Sequence, residues 1–365
     1  MTKLRSLLLG AINRRLESVL RLALRILSAA TSTQVGRLLT ARCDRVRTPE
    51  LEVDCLGRTL SNPIGLAAGF DKDCLVGGAF SIFGFGFVEV GTVLCQPQGG
   101  HPKPRVFVAP HRRALINRMG SPSAGLAIVK PRVERRSSYS DAPLAVNIGV
   151  SQDASLADMI SQLGSAAQGL SSSAWYICVN VSSPNTAGLR LLDRAELLRV
   201  VMKEVLDAVD RARGGLTDFR RTPVFVKISP DLSSSEITQV ARLTLDIGFD
   251  GIVATNTTRG VHGPVGVASD ERGGISGQPL KERSLEVLRL LHHETRGKVV
   301  LISVGGIESA DDVWDRISAG ATLVQGYTGF VFGGPLWVWR LRRDLRDKVR
   351  RAGYRSIQDA VGASE

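Results

Sequence analysis

Val179-Asn180-Val181-Ser182-Ser183-Pro184-Asn185-Thr186 runs from an apolar strand straight into a rigid polar loop. Two carboxamides and two serine hydroxyls crowd a proline there, where a turn needed only for folding would be generic. The ending recurs at Ala254-Thr255-Asn256-Thr257-Thr258, and a glycine version follows at Ser303-Val304-Gly305-Gly306. Three strands that finish in polar or glycine clusters predict a pocket assembled at one end of a parallel sheet.

Working outward, strand-like runs are expected at 63–69, 86–92, 144–149, 175–181, 222–229, 250–256, 298–304 and 321–326. Helical runs alternate with them at 73–83, 123–135, 153–168, 193–213, 234–247, 281–293, 309–318 and 334–352. This alternation predicts an α/β fold, a closed (β/α)8 TIM barrel. The rival, an open doubly wound sheet, would want G-x-G-x-x-G after its first strand, and Gly65-Leu66-Ala67-Ala68-Gly69 does not supply it. Leu51–Leu60 reads as a short hairpin turning at Gly57. Segments 93–122 and 257–280 are too long for simple connections, and both are expected to cover the pocket.

With 365 residues, 43% of them hydrophobic, the chain can bury a large core. Its five cysteines form no C-x-x-C pair, which favours a reducing compartment, and its histidines and carboxylates show no metal-ligand spacing. The formal charge of +12 is spread along the chain, with 5% aromatics and no nucleic-acid-binding signature. Small anionic ligands or an anionic membrane account for that charge better than nucleic acid does.

Residues 1–47 form an expected separate N-terminal region, ahead of a barrel at 48–353 and a tail at 354–365. Ten basic side chains there face only Glu17 and Asp44. On a helical wheel Leu16, Leu20, Ala23, Leu24 and Leu27 share one face, opposite Arg14, Arg21 and Arg25. Such a helix is too charged to span a bilayer; its apolar stripe would enter the lipid interface. A targeting segment, or a helix packed only on its own domain, would look alike.

Gly305-Gly306 follows the seventh expected strand and Gly326-Tyr327-Thr328-Gly329 the eighth, the two loops that commonly bind phosphate in such barrels. The bland alternative is that the glycines relieve tight turns. Lys227, inside the apolar strand Val224–Ile228, and Lys72, just past the first strand, are candidates to meet a cofactor or anionic substrate rather than solvent. Asn117, Asn147, Asn180, Asn185 and Asn256 lie at strand ends or in a covering loop. Carboxamides in such numbers can read the edge of a small heterocycle, although any one alone could close an Asx turn. With neither a metal cluster nor a His–Asp dyad in the sequence, a bound cofactor is expected to carry the chemistry.

From Leu51 to Gly353 the sequence resembles the class 2, quinone-dependent dihydroorotate dehydrogenases. The resemblance rests on Asn62 through Lys72, Ile116-Asn117-Arg118-Met119-Gly120, Val179 through Arg190, Ala254 through Thr258, Gly273 through Leu280, and Leu323-Val324-Gln325. It implies one FMN, oxidation of dihydroorotate to orotate in pyrimidine biosynthesis, and reoxidation by ubiquinone or menaquinone. The implied FMN contacts on the early strands are Ala67, Ala68, Gly69, Gly91, Thr92, Asn147 and Asn180. On the later strands they are Lys227, Thr255, Ser276, Gly277, Gly305, Gly306, Tyr327 and Thr328. Lys72, Asn117, Gly120, Asn180, Asn185, Asn256 and Thr257 would hold the substrate, and Ser183 would be the base. A quinone tunnel would pass Leu20, Val108 and Tyr327. Peripheral membrane association and a monomeric state are implied too, at the mitochondrial inner membrane in a eukaryote or the inner membrane's cytoplasmic face in a bacterium.

Six positions depart from the family pattern. Ser121-Pro122 stand for Phe-Asn, Val150 for Lys, Cys74 for Gly, Val108 for a tunnel Arg and Leu20 for a tunnel His. They predict a wetter substrate site and a more apolar tunnel. They also keep open two alternatives, an altered substrate or acceptor and a flavin-binding protein without activity.

Overall fold

The structure, a computed structural model, describes residues 2–138, 140, 142–181, 195–212, 221–259 and 273–364, with the side chains of residues 2–15 and 195 outside that description. Ser183 and Asn185 therefore lie outside the described residues. Two helices come first, α1 (Thr2–Ser32) and α2 (Gln34–Asp44), separated at Thr33, whose Oγ1 caps α2 by accepting from Gly36 N–H. The hairpin follows as expected: β1 (Val53–Cys55) pairs antiparallel with β2 (Arg58–Leu60) across Leu56-Gly57, both at positive φ.

The next strands are β3 (Ile64–Leu66), β4 (Phe87–Val93), β5 (Val106–Ala109), β6 (Ala114–Asn117), β7 (Leu144–Ile148), β8 (Ile177–Asn180), β9 (Val224–Ile228) and β10 (Gly251–Ala254). The last three are β11 (Gly274–Gly277), β12 (Val300–Val304) and β13 (Leu323–Gly326). Eight of them close a parallel barrel in the order β10-β12-β13-β3-β4-β7-β8-β9. All eight strands of the sequence reading are in it, each slightly shorter or shifted by a residue.

Helices alternate with the strands: α3 (Leu126–Ser137), α4 (Leu156–Leu170), α5 (Ala195–Ala212), α6 (Ser234–Ile247), α7 (Lys281–Thr295), α8 (Ala310–Ser318), α9 (Thr328–Gly333) and α10 (Trp337–Arg351). Reciprocal Ser–acid caps start three of them, at Ser155/Asp158, Ser233/Glu236 and Ser309/Asp312. The expected helix at 73–83 is a correction: only a 3₁₀ segment, Gly77–Phe83, forms. Cys74 sits at φ 52°, and the Asp71 carboxylate accepts the N–H groups of Leu75, Val76 and Gly77, so an α-helical ladder cannot begin there. The expected helix 334–352 starts three residues later, because Gly334 at φ 71° and Pro335 separate α9 from α10.

The two long segments do more than cover the barrel. Residues from both build a three-stranded antiparallel sheet, β5-β6-β11, with Asn117 opposite both Val106 and Gly274. Inside the barrel, large and small residues interlock. A Cβ on Gly65 would fall 2.3 Å from the Phe87 ring, and one on Gly251 would fall 2.1 Å from the Phe225 ring. Tyr176 stacks on Phe225 with centroids 4.6 Å apart. These rings plug the barrel below the site, as close packing requires.

Candidate functional site

At the C-terminal ends of the strands lies a cavity of about 170 Å³. Ala67, Ala68 and Gly69 line it after β3, with Lys72 beyond them. Thr92, Asn180 and Lys227 enter from β4, β8 and β9, and Thr255-Asn256-Thr257 follow β10. Ser276-Gly277, Gly305-Gly306 and Tyr327-Thr328 close the far side, and Asn117 comes from the antiparallel sheet. Three expected site residues stand just behind the lining. Gly91 O accepts from Gly69 N–H at 2.8 Å, Asn147 Oδ1 accepts from Thr92 Oγ1 at 2.7 Å, and Gly120 O accepts from Gln98 Nε2 at 2.8 Å.

The local chain explains these placements. Gly306 must be glycine: its φ is 70°, and a Cβ would lie 2.3 Å from Lys281 Cα. Asn256 lines the cavity, and its Oδ1 accepts from Thr257 N–H at 2.8 Å. The pinned Asp71 carboxylate fixes the turn that presents half-buried Lys72. Burial pulls the Lys72 ammonium down to a pKa of about 8, against the upward draw of Asp73 and with Arg105 pushing the same way as burial. Burial also holds the Tyr327 phenol protonated, its pKa raised to about 12.

Two residues the sequence reading missed complete the floor. Gln325 lines the cavity, and its Oε1 is buried with no hydrogen-bond partner among the described residues. Glu89, fully buried on β4, accepts from Asn147 Nδ2 at 2.9 Å and from Tyr176 and Gln325, each at 2.7 Å. Their signal was available: each is a lone polar residue within an apolar strand, Val88-Glu89-Val90 and Leu323-Val324-Gln325.

A second cavity, about 460 Å³, opens between α1 and the barrel. It shares Gly69, Lys72, Val106, Met119 and Tyr327 with the first, so the two adjoin. Leu20 and Leu24 of α1, Phe70, Leu75, Pro122 and Ile128 supply apolar walls. Val108 shares a face of β5 with Val106 but is not in the lining. Arg21, Arg25 and Arg132 line it as well. The expected helix face is corrected. Leu20, Leu24 and Leu27 are half-buried toward the protein, whereas Val19, Leu22 and Ile26, 58–61% exposed, form the outward apolar edge.

Glu17 joins α1 to the site. It accepts from Arg105 Nε at 2.9 Å and Nη2 at 2.8 Å, while Arg105 Nη1 donates to Gly99 O at 2.7 Å and His101 O at 3.0 Å. Burial alone would raise the Glu17 pKa, but the Arg105 hydrogen bonds and the charges of Arg105, Lys103 and Arg21 hold it below the usual carboxylate range.

Comparison with known proteins accords with this architecture. The dihydroorotate dehydrogenase family pattern matches residues 50–349. A dihydroorotate dehydrogenase (quinone) of Rhodococcus opacus is 45% identical over 351 residues, covering 95% of each chain. That of Streptomyces coelicolor is 42% identical over 347 residues, 94% of this chain and 93% of its own. A crystal structure of Eimeria tenella DHODH in complex with ferulenol superimposes with a TM-score of 0.82 at 36% identity, over 88% of this chain and 90% of that one. The chain belongs to the quinone-dependent class of the dihydroorotate dehydrogenase family.

Membership in this family implies FMN, and the first cavity suits it. Glycines allow close backbone approach at Gly305-Gly306, Lys227 provides a buried cation, and Gln325 Oε1 offers a buried acceptor to a ring N–H. Of the departures from the family pattern, Ser121 lines the first cavity at φ 49° and Pro122 the second. Val150 and Cys74 are buried beneath the loops.

Proposed function

We propose how this chain carries out the reaction of its family, the FMN-dependent oxidation of dihydroorotate to orotate in pyrimidine biosynthesis. One observation carries the reading: Lys72, Asn117, Asn180, Lys227 and Asn256 converge with the glycine loops on one cavity, which adjoins a second cavity under α1. In the proposal Lys72 pairs with the substrate carboxylate, and the amides of Asn117, Asn180 and Asn256 read the ring edges. When bound, FMN supplies the two-electron acceptor for hydride from C6 of the substrate. Ser183 receives the C5 proton. Lys227 and the backbone N–H groups at Gly277, Gly305, Gly306 and Thr328 hold the cofactor's anionic and carbonyl groups. The second cavity admits a membrane quinone, passing Leu20 and Tyr327. The exposed edge of α1 with its arginines associates with an anionic bilayer surface.

The test is anaerobic bleaching of the flavin by dihydroorotate. Ser183→Ala is expected to retain FMN and to slow bleaching by about 10²-fold, the scale of losing a positioned acid–base group. Unaltered bleaching in that variant would place the base elsewhere. Failure of the unmodified protein to bleach would overturn the reading.

A further inference from the structure

Beneath the floor of the first cavity, a chain of hydrogen bonds runs in one direction. Glu89 is fully buried and takes Asn147 Nδ2 on Oε1 at 2.9 Å, with Tyr176 Oη and Gln325 Nε2 on Oε2, each at 2.7 Å. A carboxylate only accepts, so Asn147 turns its NH₂ toward Glu89 and its carbonyl oxygen away. That oxygen accepts from Thr92 Oγ1 at 2.7 Å. Having given its one proton to Asn147, Thr92 Oγ1 accepts from Asn180 Nδ2 at 3.2 Å. The carbonyl end of Asn180 is thus the end turned from Thr92. Shape alone would accept each amide either way round; the charge on Glu89 decides. The same charge holds Gln325 Nε2 and leaves Gln325 Oε1 as an acceptor at the cavity, with no partner among the described residues.

Packing does not call for this arrangement. The layer below is filled by Phe87 and Phe225, and well-packed apolar residues are often as stable as a buried ionised group. The carboxylate therefore does something an apolar residue would not.

We propose that Glu89 is a positioning residue: through Asn147 and Thr92 for Asn180, and directly for Gln325, it makes the cavity floor present acceptors and so selects ligand edges that carry ring N–H groups. The inference rests on the first cavity being the FMN and substrate site.

Glu89→Gln keeps the shape and removes the rule. Its amide can donate to Asn147, letting Asn147, Thr92 and Asn180 turn over in sequence. In FMN-loaded protein, calorimetric titration with orotate is expected to show affinity lowered about tenfold or more, the scale of a mispaired buried hydrogen bond. Tyr176→Phe takes a donor from the same carboxylate and a second acceptor, at 3.1 Å, from Gln325 Nε2. It leaves the sign of Glu89 and its own hold on Gln325, so affinity is expected to stay within about twofold even where stability falls. Equal losses in these two variants would make the network purely structural and overturn the proposal, as would unchanged affinity in Glu89→Gln. If Glu89→Gln does not fold, the Thr92 pair carries the test. Thr92→Val breaks the relay and is expected to lose far more affinity than Thr92→Ser, which keeps the hydroxyl; equal losses would overturn the proposal. Absence of orotate binding by the unmodified loaded protein would instead overturn the site assignment beneath it.

Discussion

Lys72 stands where the two cavities meet, and its chemistry follows from being taken out of water more than from any single neighbour. Its pKa of about 8 means that the free site loses this positive charge in mildly alkaline solution. A bound carboxylate favours the ammonium and raises its pKa, so binding above that pH draws in a proton. Orotate affinity is therefore expected to fall as pH rises through about 8, by up to about tenfold per unit. Titrations of the FMN-loaded protein between roughly pH 7 and 10 would check this, with Lys72→Gln giving weak binding and no such slope. A flat profile in the unmodified protein would separate Lys72 from the carboxylate. The sequence reading singled out Lys72 and Lys227 because a lysine beside or within a barrel strand is hard to bury idly. It gives Glu89 no part and Gln325 only a place in a family motif, although each is a lone polar residue in an apolar strand.

At the scale of the element, α1 shows what a helical wheel leaves out. The wheel separates a leucine face from an arginine face, but a period of 3.6 residues cannot say whether the apolar face meets lipid or protein. Here that face turns inward, and Glu17 beside it clamps Arg105, whose side chain is 3% exposed. Arg105 in turn holds the carbonyls of Gly99 and His101, and its own carbonyl accepts from Arg118 N–H, next to Asn117. Exposed ion pairs contribute about 0–1 kcal/mol, whereas stranding one partner of a buried pair costs about 3–5 kcal/mol. Glu17 keeps 14% of its side chain exposed, so a cost between those two ranges applies. Glu17→Gln is expected to destabilise the loaded protein by about 2–3 kcal/mol in urea unfolding, and to make residues 1–47 more open to protease. Unchanged unfolding would mean that water replaces the carboxylate at little cost.

For the whole molecule, the barrel depends on rings filling the space that glycines leave. Phe225→Ala would empty the plug beside Gly251 and Tyr176, and a loss of about 3–5 kcal/mol is expected by chemical unfolding. A loss below about 1 kcal/mol would show that the floor collapses to fill the void. On the outside, no helix among the described residues is long and apolar enough to cross a membrane. Val19, Leu22 and Ile26 on α1, with Val35, Leu38 and Leu39 on α2, are nevertheless exposed on a chain of net charge +12. Replacing both Leu22 and Ile26 by Ser is expected to weaken sedimentation with anionic vesicles by about tenfold or more, each apolar side chain contributing about 1.5–3 kcal/mol when fully buried. Undiminished binding would leave attraction to the basic residues as the whole of it.

Sequence by itself determined the eight-stranded barrel, because eight alternating apolar runs with strand-end glycines and amides are local patterns, and the open-sheet rival lacked its glycine motif after the first strand. It also picked out the strand-end residues that gather around the first cavity, through their resemblance to one family's motifs. Tertiary structure alone decided that the segments 93–122 and 257–280 share a sheet through Asn117 and Gly274, since pairing across so long a separation leaves no local periodicity. It likewise decided which face of α1 looks inward, which carbonyls Arg105 holds, and the direction of the amides above Glu89. These depend on partners from distant parts of the chain, and a side chain's partner, unlike its period, is written nowhere in its own segment.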